Sequence, residues 1–446
     1  MSVFADDVVR FTSFLKMAYN FLAGREYLKR LKFREGKKLI SVVLGFSDIV
    51  FASEAVPVFP IRMESFKLNP YLVALNSASS ILGWGLTTKV LSLLKKVDSM
   101  NVIDKIVDDI INTINEKYNE MDDLAVESGI SSDFCYGIKG LYGMHVSKGK
   151  NVEASLYHTI RCSAFNKYHE SIKPLVAKQI WIDIPPRNIG NALELVSNNI
   201  THAINQLEEI TGSTVTDNHL IKQFNLSNQV KKQYKTIIYE ISASDFYPCN
   251  PATFAEILAL LSISFQDYNS NSQRYLENIT NLVNEMRERI KKGIGMDVSK
   301  MPRILLTPMF GGWEPKTQEI LFEMGARTLY ADWEILGLLE EINSSKNTNP
   351  IEEYGRFLLN ATNNRVGWDN DTLTNSYLNV AEKMDVDGII FNQLFGCHSI
   401  SNCYNMLREK VRRRLEIPIT SINFNKIGEN IEQIKTRLGA FIEIIQ

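Results

Sequence analysis

The sequence predicts an α/β fold: two parallel-sheet units of the Rossmann or flavodoxin kind, with an additional helical region. Three observations predict it. Short β-branched runs bounded by turn residues recur, as in Leu39 to Leu44 and Arg303-Ile-Leu-Leu-Thr307. Segments with apolar residues at helical spacing alternate with them over short connections, which implies parallel strands and right-handed crossovers. The length, 446 residues, exceeds what one core usually serves and suits two or three domains.

The elements follow in order. Val8, Phe11, Leu15, Ala18 and Leu22 mark one or two amphipathic helices from Asp6 to Leu31, so 1–31 is expected to be an N-terminal helical segment. Leu39 to Leu44 reads as a buried strand and Gly45-Phe46-Ser47 as the turn after it. Asp48 to Ala55 fits a helix with an acidic residue in its first turn, and Val56-Pro57-Val58 begins the next extended segment. From Asn69 to about Ser128 the spacing is helical. Strands are predicted at Ala154 to Ile160 and at Gln179 to Ile184, the second closed by Pro185-Pro186. These make 32–190 a first α/β domain with a helical insertion. A helical block from Ala192 to about Ile294 fills a helical region, 191–300. In 301–446, a second α/β domain, Arg303 to Thr307 is a strand and Pro308 to Trp313 a Gly-rich turn. Glu314 to Met324 is a helix stopped by Gly325 at the C′ position. Strands at Ala326–Tyr330, Val386–Asn392 and Pro418–Ile422 follow, with helices at Asn402–Leu415 and Glu429–Ile445.

Bulk properties exclude several classes. Apolar residues at 45% and charged residues at 22% describe a globular chain. Lys and Arg number 49 against 51 Asp and Glu, which gives no basic surface for nucleic acid. No apolar run is long enough to cross a bilayer, and Met-Ser-Val-Phe-Ala-Asp-Asp is not built like a secretory signal, so a cytoplasmic protein is expected. Five cysteines are too few and odd in number for a disulfide framework.

Three of those cysteines share a setting. Cys135 lies in Asp-Phe-Cys-Tyr-Gly, Cys162 in Thr-Ile-Arg-Cys-Ser-Ala-Phe and Cys397 in Phe-Gly-Cys-His-Ser. Cys162 and Cys397 each follow a predicted strand and precede a predicted helix, the carboxyl edge where parallel sheets place their chemistry. A free cysteine taken alone is most often a small buried apolar residue. Three thiolates meeting at such an edge would hold an iron–sulfur cluster or a metal with one position open. No Cys-x-x-Cys occurs, so the ligands must come from distant segments. Cys249, in Tyr-Pro-Cys-Asn-Pro, and Cys403 are expected to be structural.

Other residues carry weaker signals. His398 borders Cys397 and is either a solvated helix-start histidine or a proton donor beside substrate. Ser47 and Asp48 are either a helix cap with its first-turn acid, or polar contacts for a substrate at the sheet edge. Gly311-Gly312-Trp313 would let backbone approach a phosphate or an adenine, though neither a P-loop nor a Gly-x-Gly-x-x-Gly fingerprint is present. Arg412-Arg413-Arg414 reads as a solvated helix face, or as a site for anionic groups such as the phosphates of coenzyme A.

Together these stretches resemble the family of 2-hydroxyacyl-CoA dehydratase and ATP-dependent benzoyl-CoA reductase subunits, from about Gly36 to the end. The likeness is carried by Glu127-Ser-Gly-Ile-Ser-Ser-Asp-Phe-Cys135 with Lys139 and Gly143, and by Tyr157-His-Thr-Ile-Arg-Cys162. It continues in Arg303-Ile-Leu-Leu with Gly325-Ala326, Val386-Asp-Gly-Ile-Ile-Phe-Asn-Gln with Cys397, and Lys435-Thr-Arg-Leu-Gly-Ala-Phe. The length is similar to that of the larger of two paired subunits. The resemblance implies a 4Fe-4S cluster held by Cys135, Cys162 and Cys397. It also implies a related smaller iron–sulfur subunit or a second copy as partner, an ATP-dependent iron–sulfur activator as electron source, and an acyl-CoA substrate. In the dehydratases one injected electron makes a ketyl radical from the thioester carbonyl, so that the 2-hydroxyl can leave; in the reductases two electrons enter an aromatic ring. Dehydration is favoured as the wider activity, with ring reduction or a non-catalytic electron relay as alternatives. The stretch from Ser47 to Pro57 departs from the family's pattern: Asp48 stands where relatives commonly carry a Glu, and Glu54 replaces a small residue.

Overall fold

A computed structural model describes residues 5–44, 46–64, 66, 70–98, 100–186 and 190–446. Gly45 of the first turn and Asn69 at the expected helix start lie outside the described residues.

Two four-stranded sheets organise the chain. The first contains β1 (Leu39–Val42), β2 (Val56–Val58), β3 (Ala154–His158) and β4 (Gln179–Ile182), in the order β2-β1-β3-β4. A short antiparallel pair, β5 (Phe246–Tyr247) against β6 (Met296–Asp297), lies within the helical region. The second sheet contains β7 (Arg303–Thr307), β8 (Arg327–Leu329), β9 (Gly388–Leu394) and β10 (Ile419–Phe424), in the order β10-β9-β7-β8. Every pairing in both sheets is parallel. Counted from its own first strand, each sheet has the order 2-1-3-4, so the two are topological copies. Strands buried on both faces explain the unbroken apolar runs: all of Leu39–Val42 and all of Ala154–His158 are buried.

Helices surround and join the sheets. The N-terminal segment forms Ala5–Val8, Thr12–Leu22 and Gly24–Phe33. Between β2 and β3 run Pro70–Leu82, Trp84–Val97, Val102–Glu127 and Tyr136–Lys148. The region expected as one helical block is divided into Ala192–Thr211, Asp217–Lys235, Pro251–Ser264 and Ser272–Lys291. Its breaks are local chemistry. Gly212 ends the first helix in a left-handed conformation, and Thr216 with His219 forms a capping box for the second. Asn250 caps the third ahead of Pro251 at its first position. One continuous apolar core runs through both sheets and this helical region. Among the described residues no helix is long and apolar enough to cross a membrane.

Candidate functional site

Each of the three cysteines stands at the residue before a helix. Cys135 precedes Tyr136–Lys148, Cys162 precedes Ser163–Ile172, and Cys397 precedes the short helix His398–Ser401. Cys162 lies beyond the end of β3 and Cys397 beyond the end of β9, the third strand of each sheet. They therefore hold equivalent places in the two copies, beside the point where strand order reverses and ligands of open α/β sheets bind. Cys135 comes from the helical insertion of the first unit.

Backbone approaches bring the three together. Gly137 N–H donates to Gly311 O (2.8 Å), which pins the start of the Cys135 helix to the Gly-rich turn after β7. A Cβ at Gly137 would lie 2.6 Å from Gly311 Cα, so no larger residue permits that approach. Gly396, with φ +73°, lets the Cys397 turn close on the Cys135 segment; a Cβ there would meet Asp133 O at 2.2 Å and Cys135 N at 2.9 Å. The glycine pair of the sequence thus packs a turn against a helix start. Behind it, Lys139 pairs with Asp122 across 3.0 Å, both buried, tying the Cys135 helix to Val102–Glu127.

All three cysteines line one cavity of about 650 Å³, together with Ser399, Gly311, Gly312 and Trp313. The Cys397 thiol, as a hydrogen-bond donor, lowers the Cys135 thiol to about 7, against the effect of burial and with help from the N–H groups of Ile138 and Gly137 and the charge of Lys139. The same contact raises Cys397, which stays the protonated partner. Burial raises Cys162, opposed by the Phe165 N–H, which donates to its sulfur at 3.4 Å, and by the Ser399 hydroxyl. Helix starts favour negative charge, so the setting suits thiolates. Among the described residues, no group of three or more His, Cys, Asp or Glu side chains is arranged to hold a metal ion.

The remaining expected site residues lie elsewhere. Ser47 and Asp48 are buried at the head of the helix Asp48–Ala52 but are not part of the cavity wall. Ser47 makes no capping bond; its Oγ and Asp48 Oδ1 have no hydrogen-bond partner. Ser47 and Asp48 thus hold the cap and first-turn positions expected of them, but the serine hydroxyl supplies no capping bond. Burial raises Asp48, opposed by Lys231, Ser227 and Gln223 from the helix Asp217–Lys235. Lys231 is lowered to about 8 by its own burial, and its ammonium donates to Glu340 O at 2.9 Å. His398 is exposed and outside the cavity wall. Cys249 and Cys403 are buried outside the cavity wall; Cys249 lies two residues past β5. The Arg412–Arg414 run is an exposed helix face, with Arg413 facing Glu409 at 3.6 Å and Arg414 paired with Glu382.

Sequence reasoning singled out the Gly311-Gly312-Trp313 turn only as a backbone approach for a phosphate or an adenine, and missed Gly396 and Ser399 as parts of the site. Gly396 adjoins Cys397 and Ser399 lies two residues beyond it, which was the available signal. Trp313 Nε1 is a buried donor without a partner.

Comparison with curated proteins gives no match. Residues 109–445 match the family described as 2-hydroxyglutaryl-CoA dehydratase, D-component. The match contains all three cavity cysteines and begins later than the resemblance starting near Gly36, leaving β1, β2, Ser47 and Asp48 outside it. Since it spans well over half of the chain, the protein belongs to the 2-hydroxyglutaryl-CoA dehydratase D-component family.

Proposed function

We propose that this chain is the iron–sulfur subunit of a 2-hydroxyacyl-CoA dehydratase, a lyase, and that Cys135, Cys162 and Cys397 hold a 4Fe-4S cluster. The observation that carries the reading is the meeting of three cysteines from three separate segments on one cavity wall. Each thiolate of such a cluster takes its own iron atom, so the donors need not converge on one ion as a single metal requires. Held by these three cysteines, the cluster would supply reversible one-electron chemistry at the thioester carbonyl. Overall the 2-hydroxyl and a β-hydrogen leave as water, a C2–C3 double bond forms, and no net electrons are consumed. The chain's own residues contribute a water-poor chamber and, in the Trp313 indole N–H, a neutral donor with no other partner. Ser47, Asp48 and His398 do not line the chamber and are assigned no step. A related subunit and an ATP-dependent activator complete the assembly in this proposal.

Anaerobic reconstitution tests it. The wild-type chain should take up about four irons with a Mössbauer signature of a cubane cluster. Cys135→Ala, Cys162→Ala and Cys397→Ala should each lose most of that iron, whereas Cys249→Ala and Cys403→Ala should keep it. Unchanged iron in the first three variants would sink the assignment. Product reduced in proportion to the electrons supplied would replace dehydration by reduction.

A further inference from the structure

The wall of the cysteine cavity says what kind of acyl group fits. Phe14 and Leu15 come from the N-terminal helices, Ile110 and Ile114 from Val102–Glu127, and Leu260 and Ile263 from Pro251–Ser264. These apolar side chains line the same cavity as the cysteines, and its volume of about 650 Å³ lies within the range of small-molecule sites. Among the described residues of the wall there is no Lys, Arg or His. Its two acidic residues are already engaged. Asp332 accepts from Thr307 Oγ1 (2.9 Å), Met309 N (2.5 Å) and Phe310 N (2.9 Å). Glu256 accepts from Gln318 Nε2, and burial raises its carboxyl to about 8, so it is largely neutral at neutral pH. The buried polar atoms left without partners on the wall, Trp313 Nε1 and Gln266 Oε1, are both uncharged.

The family takes its description from 2-hydroxyglutaryl-CoA, whose acyl group ends in a second carboxylate. In this cavity that carboxylate would shed its water and find no cation. We propose that the substrate of this chain is a 2-hydroxyacyl-CoA with an apolar, branched or aromatic acyl side chain, and that the dicarboxylic thioester is rejected. The proposal rests on the dehydratase reading and narrows it to one substrate class.

Equilibrium binding to the full chain, reconstituted anaerobically, tests it with three thioesters sharing the same coenzyme A portion: 2-hydroxy-4-methylpentanoyl-CoA, 2-hydroxy-3-phenylpropanoyl-CoA and 2-hydroxyglutaryl-CoA. The two apolar thioesters should bind at least about 100-fold more tightly than the diacid. Ile114→Arg, which places a cation on the wall of a helix partly open to solvent, should reduce that ratio about tenfold or more. Binding of the diacid as tight as that of the apolar pair would overturn the substrate class and leave the dehydratase reading standing. Binding of none of the three would overturn the dehydratase reading and this inference with it.

Discussion

At Gly396 one methyl group decides how close Cys397 stands to Cys135. The backbone there is left-handed, and an added Cβ would overlap Asp133 O. Gly396→Ala should destabilise the protein by about 2–4 kcal/mol, from the unfavourable φ and the overpacking together. It should also lower iron uptake while leaving all three thiols in place, measured by urea unfolding and iron content. Glu54 shows the opposite case. It occupies the C′ position after Asp48–Ala52 with φ +59°, and the cap is complete: Glu54 N–H donates to Phe51 O (3.0 Å) and Ala55 N–H to Val50 O (3.2 Å). Its side chain is exposed, so Glu54→Gly should remove only backbone strain and stabilise the protein by about 1 kcal/mol in the same unfolding experiment. The cysteine positions were legible in the sequence because strand, turn and helix-start patterns surround Cys162 and Cys397. The approach of Cys135 was not, since it depends on Gly137 meeting Gly311 and Gly396 meeting Asp133, contacts between segments far apart in the chain.

Among the elements, the Cys135 helix is held by a buried charge pair as well as by apolar packing. Removing Lys139 leaves Asp122 only the weaker of its two cations: Lys139→Met should cost about 3 kcal/mol, because Lys426 stands 4.0 Å from Asp122 and pairs more closely with Asp123. Adding Asp122→Leu should recover much of that loss, and a double-mutant cycle by chemical denaturation measures the recovery. Most elements could be read from periodicity. β7 has the bounds its β-branched run predicts, and Leu39–Val42, Ala154–His158 and Gly388–Leu394 differ from expectation only at their ends. The antiparallel pair β5–β6 was not readable, because two-residue strands carry no repeat and the two lie far apart in sequence. The stretch from Ala331 to Asp385 received no assignment, although it forms Asp332–Ile335, Pro350–Leu359 and Asn370–Lys383. The first of these is a single turn and offers no period to read.

For the whole molecule, three histidines buried around β3 set a limit at acid pH. Burial lowers His145 to about 4, His158 to about 3 and His169 to about 2, with the neighbouring histidines adding to the last shift. Neither ring nitrogen of His169 has a partner, and its ring stacks on Tyr157 at 3.5 Å. Unfolding lets these rings bind protons below about 6.5, where the folded state does not. Stability is therefore full above that pH and is lost as pH falls toward the folded values, by up to about 1.4 kcal/mol per pH unit for each ring. Urea unfolding at pH 7.5 and 5.5 should show the loss, and His169→Phe should reduce the slope. The two-sheet architecture itself was legible, through the alternation of strand and helix; the equivalence of the two sheets was not, because it is carried by strand order rather than by repeated residues.

That equivalence has a consequence for how such a centre could arise. Doubling a sheet with one thiol beyond its third strand yields two donors facing each other, the counterparts of Cys162 and Cys397. Two donors leave half of a four-iron cluster unheld. The third thiol, Cys135, belongs to the helices between β2 and β3, whereas the corresponding helices between β8 and β9 bring no cysteine to the cavity, so the asymmetry between the two copies, rather than their likeness, supplies the third thiol. One cysteine in one of two equivalent connections, positioned by Gly137 and Gly396, separates a scaffold with paired thiols from a cavity lined by three.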